Sequence, residues 1–319
     1  MGGSHSVAET TYEGFPALAL RSPAGVEAVY APGVGMVGCS LTHGGEELLA
    51  QRGGLARYEA TGSTFGIPLL HPWANRLAGF GYEIAGRHVA IDRESPLVRL
   101  DPNGLPIHGL LAASPHWSVT ASGADGDGAR VAARLDFGAH PDLLEAFPFP
   151  HTIDMDVLLS GATLTVTTAV EPTGDVPVPI AFGYHPYLQL PGVPRADWRV
   201  ELPVRRHLLL DERSIPTGES EPAEITPGPL ADRVYDDGFA DIADGGVFAV
   251  EGGGRRIELR FGRGYPFAQV YAPAGQELIA LEPMTAPTNA LVSGWHLPTV
   301  QPGDRFAAEF ELSVLSLPR

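Results

Sequence analysis

The chain of 319 residues has a hydrophobic content of 44% and a mean hydropathy of +0.02, which is typical of a globular protein with a sizeable core. Its formal net charge is −17, so nucleic acid and anionic membrane surfaces are poor candidate partners. All 21 basic residues are arginine, and the absence of lysine excludes Schiff-base chemistry, lysine-bound pyridoxal phosphate and a P-loop.

The N-terminal region carries no targeting signal that we can identify. Residues 1–10 are small and polar, and we expect them to be disordered. The sequence shows neither a secretory h-region nor a transmembrane stretch, so we expect a cytoplasmic protein. The single cysteine, Cys39, excludes an internal disulfide framework and a multi-cysteine metal cluster, and its apolar neighbours predict a small buried side chain.

Glycine and proline are scattered through the whole chain, 39 and 30 of them, which favours a turn-rich all-β protein. Residues 12–37 alternate apolar and polar side chains and predict antiparallel strands, and residues 42–51 predict a hairpin turn that leads into a short strand. Residues 55–60 predict a brief helix, and residues 81–100 predict a strand, a turn and a strand. Similar alternation continues through residues 117–170 and beyond. About twenty candidate strands, without a repeat or a composition break, predict one large antiparallel β-sandwich domain over residues 1–319.

The stretch GIPLLHPWANRLAG, residues 66–79, does not suit a central strand, because it mixes two prolines with polar residues in an apolar frame. Arg76 needs a partner here, since an unpaired buried guanidinium is costly. A structural ion pair and a role in ligand binding are equally open for it. Trp73 is either a core residue or the flat face on which the apolar side of a sugar rests, and Asn75 lies between these two residues.

Two histidines occupy positions of special interest. His185 lies between Tyr184 and Pro186 in AFGYHPYLQL, and because proline cannot donate to a sheet ladder, the segment predicts a strand end or bulge that directs side chains into a cavity. Histidine exchanges protons readily near neutral pH. His108 precedes a glycine in a turn-rich loop, where the backbone can approach a ligand closely. The alternative for both residues is a histidine that only packs or bonds to the backbone.

The carboxylates fall into two groups. Glu282 follows four apolar residues and precedes a proline, and a carboxylate at the end of a buried strand is costly unless it is paired or held for proton transfer. Asp236 and Asp237 lie between Tyr235 and Phe239 in RVYDDGFADI. By contrast, Asp154 and Asp156 alternate with apolar residues, which predicts a solvated strand face and not a catalytic pair.

The ordered set GIPLLHPWANRL, IHGLL, FGYHPYLQL, YDDGF and ALEPMTAPTNAL resembles the aldose 1-epimerase (galactose mutarotase) family. The resemblance extends over nearly the whole chain. It implies a galactose-mutarotase-like β-sandwich that interconverts the α and β anomers of a free aldose. That chemistry needs a base at the anomeric hydroxyl and an acid at the ring oxygen, and it requires neither a metal nor another cofactor.

By motif, the resemblance implies a role for each candidate residue. Glu282 in LEPMT is similar to the general base of the family, and His185 in YHPY to the general acid. Arg76, His108 and Asp236 are implied ligands of the sugar hydroxyls, with Asp237 as the alternative to Asp236. Asn75, Trp73 and Tyr184 are further expected substrate-binding residues. Which of Trp73, Tyr184 and Phe239 stacks on the sugar is left open.

Three other functions are weighed against a free-aldose epimerase. A hexose 6-phosphate epimerase needs arginines at the pocket mouth, and the doublets Arg205–Arg206 and Arg255–Arg256 are either such a clamp or surface residues. A non-catalytic sugar-binding protein has little use for an acid and a base together. A glycoside hydrolase needs a carboxylate pair. We expect a monosaccharide substrate, no nucleic-acid or membrane partner, no metal site, and a monomer or homodimer; the preferred sugar stays open.

Overall fold

The computed structural model describes residues 4–84 and 86–317. Three α-helices, two short 3₁₀ segments and twenty-six strands form within these residues. The helices are α1 Gly54–Thr61, α2 Pro141–Ala146 and α3 Ala290–Ser293, and the 3₁₀ segments are Phe137–Ala139 and Arg195–Asp197. The strands are β1 Ser6–Tyr12, β2 Phe15–Arg21, β3 Val26–Ala31, β4 Val37–His43, β5 Glu46–Glu47, β6 Leu69–Leu70, β7 Gly81–Ile84, β8 Arg87–Ala90, β9 Ser118–Ala124, β10 Ala129–Asp136, β11 His151–Ser160, β12 Thr163–Pro172, β13 Val178–Pro179, β14 Gly183–Tyr184, β15 Tyr187–Leu188, β16 Arg199–Glu201, β17 Arg206–Leu210, β18 Pro216–Pro222, β19 Gly228–Pro229, β20 Tyr235–Ala240, β21 Gly246–Gly252, β22 Arg255–Phe261, β23 Phe267–Ala272, β24 Ile279–Met284, β25 Thr299–Val300 and β26 Phe306–Ser316.

The strands form three large antiparallel sheets, which confirms the all-β prediction. β1 to β5 pair in chain order. A nine-stranded sheet has the order β19-β16-β21-β22-β26-β12-β11-β10-β9, and an eight-stranded sheet carries β18-β17-β20-β23-β24-β14-β6 with β15 also paired to β24. The pairs β13-β25 and β7-β8 complete the fold.

Alternation along the long strands explains how the sheets pack. In β11, every second residue from His151 to Leu159 is buried, because successive side chains point to opposite faces. The other face carries Asp154 and Asp156, which pair with Arg134 and Arg130 on the neighbouring strand at the surface. Those carboxylates therefore lie on the solvated strand face, as predicted.

The nine- and eight-stranded sheets bury their facing sides in one hydrophobic cluster. Phe310 of β26 contacts Tyr184 of β14, with ring centroids 4.9 Å apart. Leu281 of β24 belongs to the same cluster, whereas Ala280 and Met284 pack in separate small clusters on the other side of their strand. The eight-stranded sheet consequently has one face toward the main core and one face available for a site.

Other local predictions have mixed outcomes. The helix expected at residues 55–60 forms as α1, and Cys39 is buried as expected. The expected disorder of residues 1–10 is wrong for residues 6–10, because β1 pairs with β2 along its full length; residues 1–3 lie outside the described residues. The strand pair at residues 81–100 is confirmed as β7 and β8, and Ala85 in its turn lies outside the described residues. No helix in the described ranges is long and apolar enough to cross a bilayer.

Candidate active site

Glu282 is placed by the register of β24. Since Leu281 points into the main core, Glu282 points to the opposite face of the eight-stranded sheet. The residue opposite Glu282 on the neighbouring strand β23 is Gln269. The Gln269 amide Nε2 donates to Asp236 Oδ1 at 2.7 Å. Alternation along three neighbouring strands thus groups Asp236, Gln269 and Glu282 on one face.

His185 reaches this face at a break between strands. β14 ends at Tyr184 and β15 begins at Tyr187, which confirms the strand end predicted from Pro186. The His185 backbone N–H donates to Pro68 O at 3.2 Å. Its imidazole stacks on the Tyr187 ring, with centroids 4.1 Å apart and planes 18° apart, and its Nε2 lies 3.1 Å from Glu282 Oε1.

Arg76 is both structurally paired and exposed to the cavity. Its Nε donates to Asp101 Oδ2 at 2.8 Å, and the Asp101 side chain is fully buried. Its Nη1 donates to Asn75 Oδ1 at 3.0 Å, and its Nη2 lies 3.8 Å from Asp236 Oδ2. The two interpretations of Arg76 therefore hold together, because Asp101 fixes one edge of the guanidinium while the other edge faces the cavity.

Asn75 and His108 have backbone conformations that residues other than glycine rarely adopt. Asn75 has φ 54° and His108 has φ 67°, both in the left-handed region. The His108 N–H donates to Asn75 O at 2.8 Å. Gly109 has φ 72°, and a Cβ added there would lie 2.2 Å from His71 O, so only glycine fits. Strain of this kind persists where surrounding structure enforces it, and it often marks a functional site.

Burial shifts the protonation of all three central groups toward the neutral form. It raises the pKa of Glu282 well above its usual value, and the Asp236 carboxylate adds to that rise. It lowers the pKa of His185 well below its usual value, with further lowering by His108 and Arg52. It lowers the pKa of His108 to about 3, assisted by Arg99 and Arg76. The contact between His185 Nε2 and Glu282 Oε1 therefore favours one proton shared by the two groups.

These side chains line a single cavity of about 360 Å³, a volume within the usual range for small-molecule sites. Six predicted site residues meet there: Asn75, Arg76, His108, His185, Asp236 and Glu282. Asp237 instead pairs with His207 Nε2 at 3.0 Å, because adjacent residues of β20 point to opposite faces. Asp236 is consequently the aspartate that faces the cavity.

Trp73 and Tyr184 do not line the cavity, which corrects the prediction for both. The Tyr184 Oη hydrogen-bonds Thr168 Oγ1 at 2.5 Å inside the core, because Tyr184 and His185 are neighbours in extended chain and point to opposite sides. Trp73 is fully buried in the main hydrophobic cluster. Phe239 lies in that cluster too, so the aromatic rings at the cavity are those of Tyr187 and Tyr271.

Sequence reasoning also missed charged residues at the cavity. Arg52 and Arg99 line it, together with Asp101. The motif YHPY carried a usable signal for Tyr187, since residues two apart share a side of an extended chain. No comparable local pattern marks the two arginines. The doublets 205–206 and 255–256 lie elsewhere: Arg206 pairs with Asp241, and Arg256 pairs with Glu201, Glu251 and Glu258.

The fold is that of galactose-mutarotase-like proteins. A galactose mutarotase-like protein from Clostridium acetobutylicum superposes with a TM-score of 0.85 at 20% identity, over 98% of this chain and 99% of that one. A galactose 1-epimerase from Lactobacillus acidophilus gives 0.78 at 15% identity, over 99% and 100%. A protein from Synechocystis gives 0.76 at 24% identity, over 94% and 96%. At these identities the likeness shows the fold alone.

The family is defined by a separate comparison. The family model for aldose 1-epimerase matches residues 31–313, which is most of the chain. A search of the curated proteins finds no match. The chain belongs to the aldose 1-epimerase family, as its five ordered motifs predicted.

Proposed function

We propose that this protein is an aldose 1-epimerase that interconverts the α and β anomers of an aldose by opening and closing the sugar ring. The observation that carries the proposal is the contact of 3.1 Å between His185 Nε2 and Glu282 Oε1 at a cavity lined by hydroxyl-binding groups. Both side chains are almost fully buried, at 6% and 2% exposure. An acid and a base in contact at a cavity form a proton-transfer pair.

The reaction conserves the proton that this pair holds. When the sugar separates the two groups with the shared proton on His185, the Glu282 carboxylate accepts the proton of the anomeric hydroxyl, and His185 Nε2–H donates its proton to the ring oxygen. The bond between the anomeric carbon and the ring oxygen breaks, and the open-chain carbonyl forms. After rotation about the adjacent carbon–carbon bond, the ring closes on its other face as both protons return. The pair ends each turnover with the proton count with which it began.

The remaining cavity residues hold the sugar. Arg76, fixed by Asp101, presents N–H donors, and Asp236 presents a carboxylate acceptor oriented by Gln269. His108 is uncharged at neutral pH because its pKa is lowered to about 3, so it binds a hydroxyl as a neutral donor or acceptor. Tyr271 or Tyr187 supplies an aromatic face for the apolar side of the sugar. Such positioning keeps the anomeric centre between the acid and the base.

Polarimetry of freshly dissolved α-D-glucose, α-D-galactose and a pentose tests this function. We expect the wild-type protein to accelerate equilibration of at least one of these sugars above the spontaneous rate. We expect Asp236→Asn to raise KM, whereas Asp237→Asn serves as the matched control, because its carboxylate pairs with His207 outside the cavity. If wild type accelerates none of the sugars, and deoxy sugars and hexose 6-phosphates also give no acceleration, a non-catalytic sugar-binding protein becomes the better account.

A further inference from the structure

A group of arginines beside the cavity has no counter-charge. The chain is strongly acidic, with 38 carboxylate residues against 21 arginines, and its arginines commonly form ion pairs, as Arg76 does with Asp101. Arg52, Arg57 and Arg99 form no ion pair with any residue that the structure describes. Three unpaired cations close together repel one another, so an anion placed among them would be attracted.

Two of the three side chains bond to the segment that follows α1, and the third lies against the residue that precedes this helix. Arg52 Nη1 donates to Thr64 O at 3.2 Å and also to Tyr187 Oη. Arg99 Nη1 donates to Gly62 O. Arg57 lies on α1 itself, and its side chain folds back over Gly53. In Arg52 and in Arg99 only the Nη1 nitrogen donates within the described part of the chain, so the Nε–H and Nη2–H groups of both residues stay available.

A second cavity continues from the sugar site at this point. It has a volume of about 440 Å³ and shares Arg52 and Ser63 with the sugar cavity. Arg57, Gln189 and Gln276 also line it. Its one carboxylate, Glu277, is already engaged as acceptor for the Arg195 N–H at 2.8 Å. The path from the acid–base pair into this space runs over Tyr187, which stacks on His185 and bonds to Arg52.

The lining of the second cavity favours an anion over another neutral sugar ring. It contains no aromatic side chain on which a sugar could stack, whereas it holds two arginines with available N–H donors. Planar guanidinium groups match the oxygens of phosphate and carboxylate groups and bind them with charge-assisted hydrogen bonds. Burial lowers the pKa of Arg99, and the charges of Arg52 and Arg57 add to that lowering, so a bound anion would offset the cost of this cation.

We propose that Arg52, Arg57 and Arg99 form an anion-binding subsite for a phosphate or carboxylate group at the far end of an aldose whose anomeric carbon lies between Glu282 and His185. This subsite rests on the proposed function for its substrate class. It assigns a role to the second cavity and makes acidic aldoses the preferred substrates. The sugar cavity then binds the sugar ring, and the arginine subsite discriminates charged sugars from neutral ones.

Exchange spectroscopy by proton NMR on equilibrated sugars gives kcat/KM for glucose, glucose 6-phosphate and glucuronate in wild type, Arg57→Gln and Arg205→Gln. We expect one of the acids to exceed glucose in kcat/KM, and the favoured acid identifies the anionic group. Arg57→Gln should lower the ratio of acid to glucose by about tenfold, as expected for loss of one charge-assisted contact. Arg205→Gln removes an equally exposed arginine outside both cavities and should leave the ratio unchanged.

Binding is measured separately so that the two proposals can fail independently. Calorimetry of glucose 6-phosphate and glucuronate with Glu282→Gln, alone and combined with Arg57→Gln, reports the subsite without turnover. If no aldose exchanges but the favoured acid binds about tenfold more weakly without Arg57, the epimerase proposal fails and the subsite stands. Equal kcat/KM for all three sugars in wild type, or equal effects of Arg57→Gln and Arg205→Gln, would overturn the subsite.

Discussion

Two His-Pro dipeptides look alike in the sequence and have opposite surroundings in the fold. His185, before Pro186, contacts a carboxylate at the wall of a cavity. His71, before Pro72, is buried and contacts a second imidazole, with 2.8 Å between His71 Nε2 and His151 Nε2. Each dipeptide also has an aromatic stack nearby, since Tyr187 stacks on His185 at 4.1 Å and Phe137 stacks on His151 at 4.4 Å. Packing alone therefore does not separate the two.

The hydrogen bonds separate them. His151 Nδ1–H donates to Phe149 O at 2.6 Å, which leaves its Nε2 as acceptor for the Nε2–H of His71. Both neutral rings then have their N–H groups satisfied, and an added proton would find no acceptor. The His185–Glu282 pair instead holds one proton that either group can carry, next to space for a ligand. A buried histidine indicates catalysis only when it has a proton-exchange partner and access to a cavity.

The largest expected effect concerns the pair at the cavity. Glu282→Gln and His185→Asn should each lower kcat/KM for anomer exchange by about 10²- to 10⁴-fold, because each removes one proton-transfer group. The double variant should lose about as much as either single variant, since the two groups act as a unit. Polarimetry on the two single variants and the double variant, beside wild type, completes this double-mutant cycle. Simple multiplication of the two single losses in the double variant would show that the residues act independently.

A substitution in the buried pair His71–His151 should lower the stability of the protein and leave its activity largely unchanged. His151→Phe leaves the His71 Nε2–H without an acceptor in the core, so the free energy of unfolding should fall by about 1–3 kcal/mol. Urea unfolding measures the loss, and polarimetry should find kcat/KM of the folded protein far less affected than by Glu282→Gln. As a control, His116→Phe alters a histidine stacked on His140 near the surface and should change stability by less than about 0.5 kcal/mol.

The buried pair His71–His151 should also make the stability of the protein depend on pH. Burial lowers the pKa of His151 to about 4 and that of His71 well below its usual value near 6.5. Below pH 6.5 these two histidines therefore bind more protons in the unfolded chain than in the folded chain, so their contribution to stability falls as the pH falls toward 4. Each such group contributes a slope of at most about 1.4 kcal/mol per pH unit. Urea unfolding between pH 7 and 4.5 should give a shallower slope for His151→Phe than for wild type; equal slopes would contradict the account.

The smallest effect is expected from the hydroxyl of Tyr187. Tyr187→Phe keeps the ring that stacks on His185 but removes the bonds to Arg52 and Thr64. We expect kcat/KM for a neutral aldose to fall by less than about tenfold, because the hydroxyl bonds to Arg52 and Thr64 and leaves the His185–Glu282 pair untouched. Tyr187→Leu, which removes the stack as well, should cost more. Equal losses in both variants would assign the effect to the hydroxyl and not to the ring.

Much of the fold and of the site was predictable from the sequence for physical reasons. Period-two alternation marks strands such as β11, whose two faces have different environments. Glu282 and His185 stood out because a carboxylate after an apolar run and a histidine before a proline conflict with ordinary strand patterns. The five motifs then supplied the family and the roles. Asp236 and Asp237, however, needed the register of β20 to be told apart.

Other features depend on long-range contacts that no local pattern records. His71 and His151 are 80 residues apart in the chain and meet only in the folded core. Tyr184 and Trp73 satisfy the sequence pattern of a sugar-binding aromatic residue, yet both fill the core. Arg52 and Arg99 reach the cavity from segments whose sequence contains no pattern that marks a binding site. Residues 6–10 are small and mostly polar and still form β1, because pairing with β2 satisfies their backbone groups and Val7 packs against the main hydrophobic cluster.

The role of the His185–Glu282 pair is tested by the polarimetric rate of Glu282→Gln on the sugar that wild type prefers, measured beside the free energy of unfolding of the variant. The substitution removes the shared proton site while keeping the shape of the buried side chain. We expect kcat/KM to fall by at least about 10²-fold while the variant stays folded and unfolds cooperatively. A folded Glu282→Gln protein that exchanges anomers at the wild-type rate would contradict it.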